Sequence, residues 1–253
     1  MTRDPALQHA FEIVDDLLTS VLGHSHYSMA TFYASQANDQ QILQHVPQPA
    51  IQITHEWARY FNPDQFLSVM HSMYEVVSAR LGLVLVVGYF EAGLKGMMER
   101  IVQLGKDLPE VPKNYKPKLR WAFGKVAVST YGTDTMVQRI PELCLDVDHA
   151  RHLRNLFMHN NGLFNQLYAD DAIPVSGKSA LLHSGFMQFK TNPSQAVPAL
   201  VSLAEFRRIA YSHIEFSHHL HDALQREYFG CTDPYGYASE RKTIDWHRLL
   251  TGQ

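Results

Sequence analysis

The run Arg151-His152-Leu153-Arg154-Asn155-Leu156-Phe157-Met158-His159-Asn160-Asn161-Gly162 gathers the side chains best suited to work on a phosphate. A histidine titrates near neutral pH and exchanges a proton, an arginine stabilises charge growing on phosphate oxygens, and an asparagine orients either partner. Those are the needs of RNA phosphodiester cleavage. There the ribose 2′-OH attacks the neighbouring phosphorus as a base takes its proton, and cationic donors stabilise the pentavalent transition state. That chemistry calls for no metal and no organic cofactor. Laid on a helix at about 100° per residue, the run separates into two faces. Ala150, Leu153, Leu156 and Phe157 fall together as the buried side, and Arg151, His152, Asn155 and His159 fall on the opposite, polar side. Arg154 lies at the border, where its stem packs on the core edge while its guanidinium reaches back toward His159. Asn160-Asn161-Gly162 then ends or turns the helix. A purely structural reading stands beside this one: Arg154 pairs with an acid to lock a bundle, while His159 and Asn160 cap a helix end.

Several elements must hold that segment in place. Asp4-Pro5 puts a capping side chain before a first-turn proline, and Leu7, Phe11, Val14, Leu18 and Val21 recur at helical spacing, which predicts a helix ending near Gly23. From His24 to Thr54 the chain lacks a sustained period and reads as a long connection able to cover a site. Asn62-Pro63-Asp64-Gln65 opens a second helix, with Phe66, Val69, Met70, Met73 and Val77 on one face. Leu81 to Leu104 is apolar nearly all round before Glu91, which predicts a central helix packed on several neighbours. A helix from about Lys116 to Tyr131 precedes one that Pro141 opens and that runs to Asn160. Pro174, Gly177 and Gly185 then punctuate a stretch in which Phe186, Gln188, Phe189 and Lys190 read as a small β-hairpin. Ser202-Leu203-Ala204-Glu205 is a capping box starting a long helix through Phe206, Ile209, His213, Phe216, Leu220 and Leu224 to about Tyr228. The tail has Trp246 and Leu249 with which to dock. The expected fold is mainly α. Residues 1–60 form an N-terminal helix and connection, 61–228 a helical bundle with a hairpin insertion, and 229–253 an irregular tail.

Arg154-Asn155-x-x-x-His159 resembles the Arg-x4-6-His motif of HEPN domains, in which a polar residue often follows the arginine. Gly88-Tyr89-Phe90-Glu91-Ala92-Gly93-Leu94 is similar to the acid-bearing central helix of that superfamily, with Glu91 as the counterpart of its acidic residue. The likeness runs roughly from Pro63 to Tyr228. It implies a HEPN-like helical bundle that homodimerises, bringing two motifs into one composite cleft. Many members are metal-independent ribonucleases of toxin–antitoxin, CRISPR-linked or antiphage systems, which implies an antitoxin or defence-system partner. On that resemblance Arg154 and His159 are catalytic, Asn155 positions substrate or base, and Glu91 orients Arg154. Other members are catalytically silent binding modules, so a silent dimerisation or nucleic-acid-binding module is the second reading.

Composition narrows the remaining possibilities. The 45% hydrophobic and 19% charged residues make an ordinary globular balance. A net charge of −3 with fifteen histidines is unlike a strongly basic nucleic-acid binder, so RNA contact must rest on local patches. One such patch lies between Val111 and Thr133, where Lys116, Lys118 and Arg120 stand with Lys113, Lys125, Tyr115, Trp121 and Phe123 and no acid intervenes. Arg151 and His152 extend the RNA-binding set. The bland alternative is a solvated basic helix. The apolar run Leu81 to Phe90 is too short to span a bilayer, and the start of the chain carries no secretory pattern, which predicts a cytoplasmic protein. Cys144 and Cys231 are far apart, which speaks against a disulfide framework or a structural zinc site. Glu215, His218, His219 and Asp222 share a helix stripe and would allow a metal site, but one helix rarely completes a coordination sphere. His213 falls on the apolar side of that helix and reads as a core histidine.

Overall fold

Asp4 does what its sequence context predicts: its carboxylate accepts hydrogen bonds from the amides of Ala6 and Leu7 at 3.1 and 2.8 Å, and Pro5 takes the first helical position. The computed structural model describes residues 4–37, 63–106, 111–128, 134–171 and 180–231. Among these residues there are seven helices and no strand. They are α1 (Pro5–Ala37), α2 (Pro63–Gln103), α3 (Tyr115–Val128), α4 (Asp134–His159), α5 (Gln166–Asp171), α6 (Ala180–Thr191) and α7 (Leu203–Phe229). The chain is mainly α, as its periodicity indicates.

Four boundaries differ from the sequence reading, each for a physical reason. α1 does not stop near Gly23 but runs on to Ala37, so part of the expected connection is helix. An interior glycine costs a helix only about 1 kcal/mol, less than the packing of α1 on α2 returns. The two helices expected on either side of Val77 are one continuous α2, which Gly105 ends at φ +69°. α4 begins at Asp134, with Pro141 inside it rather than opening it. The proline removes a single ladder bond. The hairpin expected at Phe186 to Lys190 is helical: Leu182, Phe186 and Phe189 are buried at a spacing of four and three, so the helical period wins. The end of the His24 to Thr54 connection and the docking residues Trp246 and Leu249 lie outside the described residues.

α2 is the centre. α1 and α7 pack along it and on each other, α4 lies against α7 and α2, and α3 fills the angle they leave. Its inner face, Leu83, Val87, Phe90, Leu94, Met97 and Ile101, is fully buried. Because α2 is continuous, Tyr74–Gln103 is a stretch long and apolar enough to cross a membrane, longer than the run read from sequence; one face of it lies in the core, and 33% of its apolar window is buried. Two glycines set its close crossings. A Cβ on Gly82 would lie 2.7 Å from the Phe206 ring, and one on Gly93 would lie 2.8 Å from Val14 Cγ1. α7 is capped as its sequence predicts, with Ser202 Oγ accepting from the Glu205 amide at 3.2 Å. Asp4 and Gln225 exchange two hydrogen bonds that tie the start of α1 to the end of α7.

His213 is a core residue, as expected. It is fully buried edge-on to Phe90, and its Nδ1 donates to the Ile209 carbonyl at 2.8 Å. Burial pushes its pKa down to about 4. The unfolded chain therefore binds a proton near pH 6.5 that the folded chain refuses until about pH 4, so stability falls as pH drops through that window. The loss is on the order of 3 kcal/mol. Urea unfolding at pH 7.5, 5.5 and 4.5 should show it, and His213→Leu should flatten the profile. A wild-type profile that is already flat would contradict this.

Candidate functional site

The end of α4 behaves partly as its pattern predicts. Ala150, Leu153, Leu156 and Phe157 are buried in the core. The helix ends where Asn160-Asn161-Gly162 predicts: Asn161 and Gly162 take positive φ of 52° and 76°, and the Gly162 amide donates to the Leu156 carbonyl at 2.9 Å. Arg80 of α2 closes this end, donating to the Phe157 carbonyl at 3.1 Å with its guanidinium 4.9 Å above the Phe157 ring. Beyond the turn the Phe164 amide donates to the Val197 carbonyl at 2.9 Å.

The polar face departs from expectation in one respect. Arg151 and His152 are buried, not solvated. Asp148, one turn earlier, holds both: Arg151 Nε donates to Asp148 at 2.9 Å, and His152 Nε2 lies 3.4 Å from the other carboxylate oxygen. Arg151 also bonds His152 Nε2 at 2.6 Å. Burial alone would raise the Asp148 carboxyl, but hydrogen bonds from His152 and Arg151 outweigh it and hold the pKa down to about 2. Tyr168 of α5 stands edge-on to His152, and its hydroxyl meets His149 Nε2 at 3.2 Å.

Two cavities flank this cluster. One, of about 310 Å³, is lined by Glu91, Arg154 and the residues that begin α3, among them Lys113 and Lys116. The other, of about 520 Å³, is lined by His152, His159, Tyr168 and Asp170. Arg151 and Asn155 line both, so the two cavities adjoin on α4 and together make up the groove.

Glu91 and Arg154 come together, with Oε2 and Nη2 3.9 Å apart, and Arg154 Nη1 donates to Asn155 Oδ1 at 3.2 Å. Lys118 Nζ is also 3.9 Å from Glu91. Neither cation is within hydrogen-bonding range of the carboxylate, so Glu91 is shared rather than clamped. Lys118, expected on an RNA-binding surface, has its side chain 5% exposed and serves Glu91 from within. Lys116 lines the first cavity, Arg120 is exposed, and Lys125 pairs with Glu227. His159 is exposed on the second cavity, and the hydrogen-bond and ion-pair partners of Arg154 are Asn155 and Glu91. The groove thus joins Glu91, Arg154, Asn155 and Arg151 at one end, and His152 and His159 at the other.

Asp148 and Tyr168 have no place in the sequence reading of the site, whereas Lys113 and Tyr115 belong to the basic patch that it names. Asp148 was legible, because it stands three and four residues before Arg151 and His152. Tyr168 reaches the groove from another helix and leaves no local signal. The stripe on α7 gathers no metal set: His218 lies 3.0 Å from buried Asp15 of α1, and among the described residues no three His, Cys, Asp or Glu side chains converge for a metal. Cys144 and Cys231 are both unbridged, and burial raises the Cys144 thiol to about 11. Set against family models, curated proteins and solved structures, the chain matches none.

Proposed function

We propose that the chain is a metal-independent endoribonuclease of HEPN type, acting as a cytoplasmic homodimer in a toxin or antiphage-defence role. The observation that carries this reading is the placement of Glu91 on the buried central helix, 3.9 Å from Arg154, at one end of a groove whose other end holds His159. Asn155 lines both ends and already accepts a hydrogen bond from Arg154. In this scheme Arg154 stabilises phosphate charge, with Glu91 setting its direction. His159 exchanges the proton of the 2′-OH or the leaving oxygen, and Asn155 orients the phosphate between them.

A dimer would let Arg154 of one copy act with His159 of the other. Val77, Leu81 and Leu85 form an exposed apolar stripe on α2. Arg80, beside Leu81, reaches the end of α4, where Met158 is 55% exposed next to His159. A second copy seated there would bring its own His159 to the groove mouth. The other reading is a catalytically silent dimerisation or nucleic-acid-binding module, and the pairing of Arg154 with Asn155 and Glu91 favours it. An antitoxin-like or defence-system protein is the expected partner on either reading.

Labelled RNA incubated in EDTA with wild type and His159→Ala, both checked for equal folding by circular dichroism, separates the two. Wild type alone should cleave, leaving 2′,3′-cyclic phosphate ends. Cleavage by neither protein favours the silent module, and equal cleavage by both removes His159 from the mechanism.

A further inference from the structure

The two cavities of the groove differ in chemistry. The one beside Arg154 is walled mainly by charged groups, whereas the one beside His159 has an apolar wall of Leu156, Leu167 and Tyr168. Its volume of about 520 Å³ lies in the ordinary range for a small-molecule pocket, about 300–1,000 Å³. Tyr168 is 3% exposed, its hydroxyl meets His149, and its ring packs against Phe164 and Phe186, so that part of the wall is rigid. Leu167, next to it in sequence, is 78% exposed, more than any other large hydrophobic side chain among the described residues. An apolar wall with a few polar groups at its edge suits a planar ring that is itself apolar on its faces and polar at its rim.

Asn165 and Asp170 supply that polar edge. Asn165 is held in place by capping α5: its Oδ1 accepts from the Tyr168 amide at 2.8 Å, and its Nδ2 donors remain for a ligand. Asp170 Oδ1 accepts from Gln166 at 2.6 Å, but a carboxylate has about four acceptor sites, so most of its capacity is left. A carboxylate repels phosphate, which marks this cavity for a different part of a nucleotide.

We infer that the cavity beside His159 is a subsite for a guanine base. Leu156, Leu167 and Tyr168 lie against the ring, Asp170 accepts from its N1–H and N2–H groups, and Asn165 donates to O6. Guanine alone among the four RNA bases presents two adjacent N–H donors on its pairing edge. Adenine and cytosine set an acceptor nitrogen beside their amino donor, and uracil flanks its N3–H with two carbonyls, so each turns a lone pair toward the carboxylate. The site rests on the ribonuclease reading for its RNA and names the base beside the bond on which His159 would act.

The full chain is titrated at constant ionic strength with the 3′-monophosphates of guanosine, adenosine, cytidine and uridine, and binding is followed by calorimetry. Sugar and phosphate are common to all four, so a difference reads the base. Wild type should bind the guanosine nucleotide about tenfold more tightly than the others, the worth of a hydrogen bond to a charged acceptor. Inosine 3′-monophosphate, which lacks the 2-amino group, should fall between. Asp170→Asn should lose the preference yet melt with wild type, because the side chain is exposed. Leu167→Ser should weaken all four alike, since it serves the ring face. Absence of binding, equal affinity for the four nucleotides, or a guanine preference that survives Asp170→Asn overturns the subsite. Cleavage of RNA is scored separately: guanine binding without cleavage sinks the ribonuclease reading alone, and cleavage without preferential guanine binding sinks the subsite alone.

Discussion

Arg208→Met should cost roughly 3–5 kcal/mol of folding stability and lower the Tm by about 10 °C. Arg208 stands between two acids that have little other solvation. Its guanidinium donates twice to Glu205, at 2.8 and 3.2 Å, and is also paired with Asp146 of α4. The side chains of Glu205 and Asp146 are 2% and 8% exposed. Ser212 adds a hydrogen bond to Asp146 at 2.8 Å, so the network joins α4 to α7. Removing the arginine takes from two desolvated carboxylates the cation they share, and that penalty, not the lost attraction, sets the size of the effect. The triple variant Arg208→Met/Glu205→Gln/Asp146→Asn should recover most of the loss. A single-variant cost under about 1 kcal/mol would show that water solvates both acids and would refute the network's role.

Gly93→Ala should destabilise the fold by roughly 2 kcal/mol, although alanine is ordinarily the better helix former. A Cβ at this position would sit 2.8 and 2.9 Å from Val14 Cγ1 and Cβ. Val14 is β-branched and cannot turn aside, so α1 itself must move. Val14→Ala provides the check: the double variant should be more stable than the two single losses predict, by about 1 kcal/mol or more in a denaturation cycle. Strict additivity would mean that the crossing of α1 and α2 relaxes freely.

These two sites also show which part of the fold is legible in the sequence. Helix caps and apolar periods are local, and Asp4, Ser202 and the apolar face of α2 sit where their spacing places them. Helix ends are less legible, because tertiary packing outweighs one glycine at Gly23 and one proline at Pro141. The segment from Phe186 to Phe189 misleads because a short apolar run fits both periods, and only its burial on Phe164 decides between them. Within the groove, the nearness of Glu91 and Arg154 is expected only from the resemblance to HEPN domains, in which the acid orients the arginine. The burial of Arg151, His152 and Lys118 is not legible, since it depends on α5 and on Glu91 arriving from elsewhere in the chain.

Glu91 occupies a particular place on α2. Phe90, its neighbour, is fully buried between His213 and Phe216, and Gly93, two residues on, is the tightest point against α1. One helical turn thus supplies both the anchor of the hydrophobic interior and the acid of the groove. Moving the acid along the helix would displace the core anchor or the α1 crossing, so the scaffold fixes its position. Lys113, exposed just before α3, carries no such burden, and single substitutions there leave the interior intact.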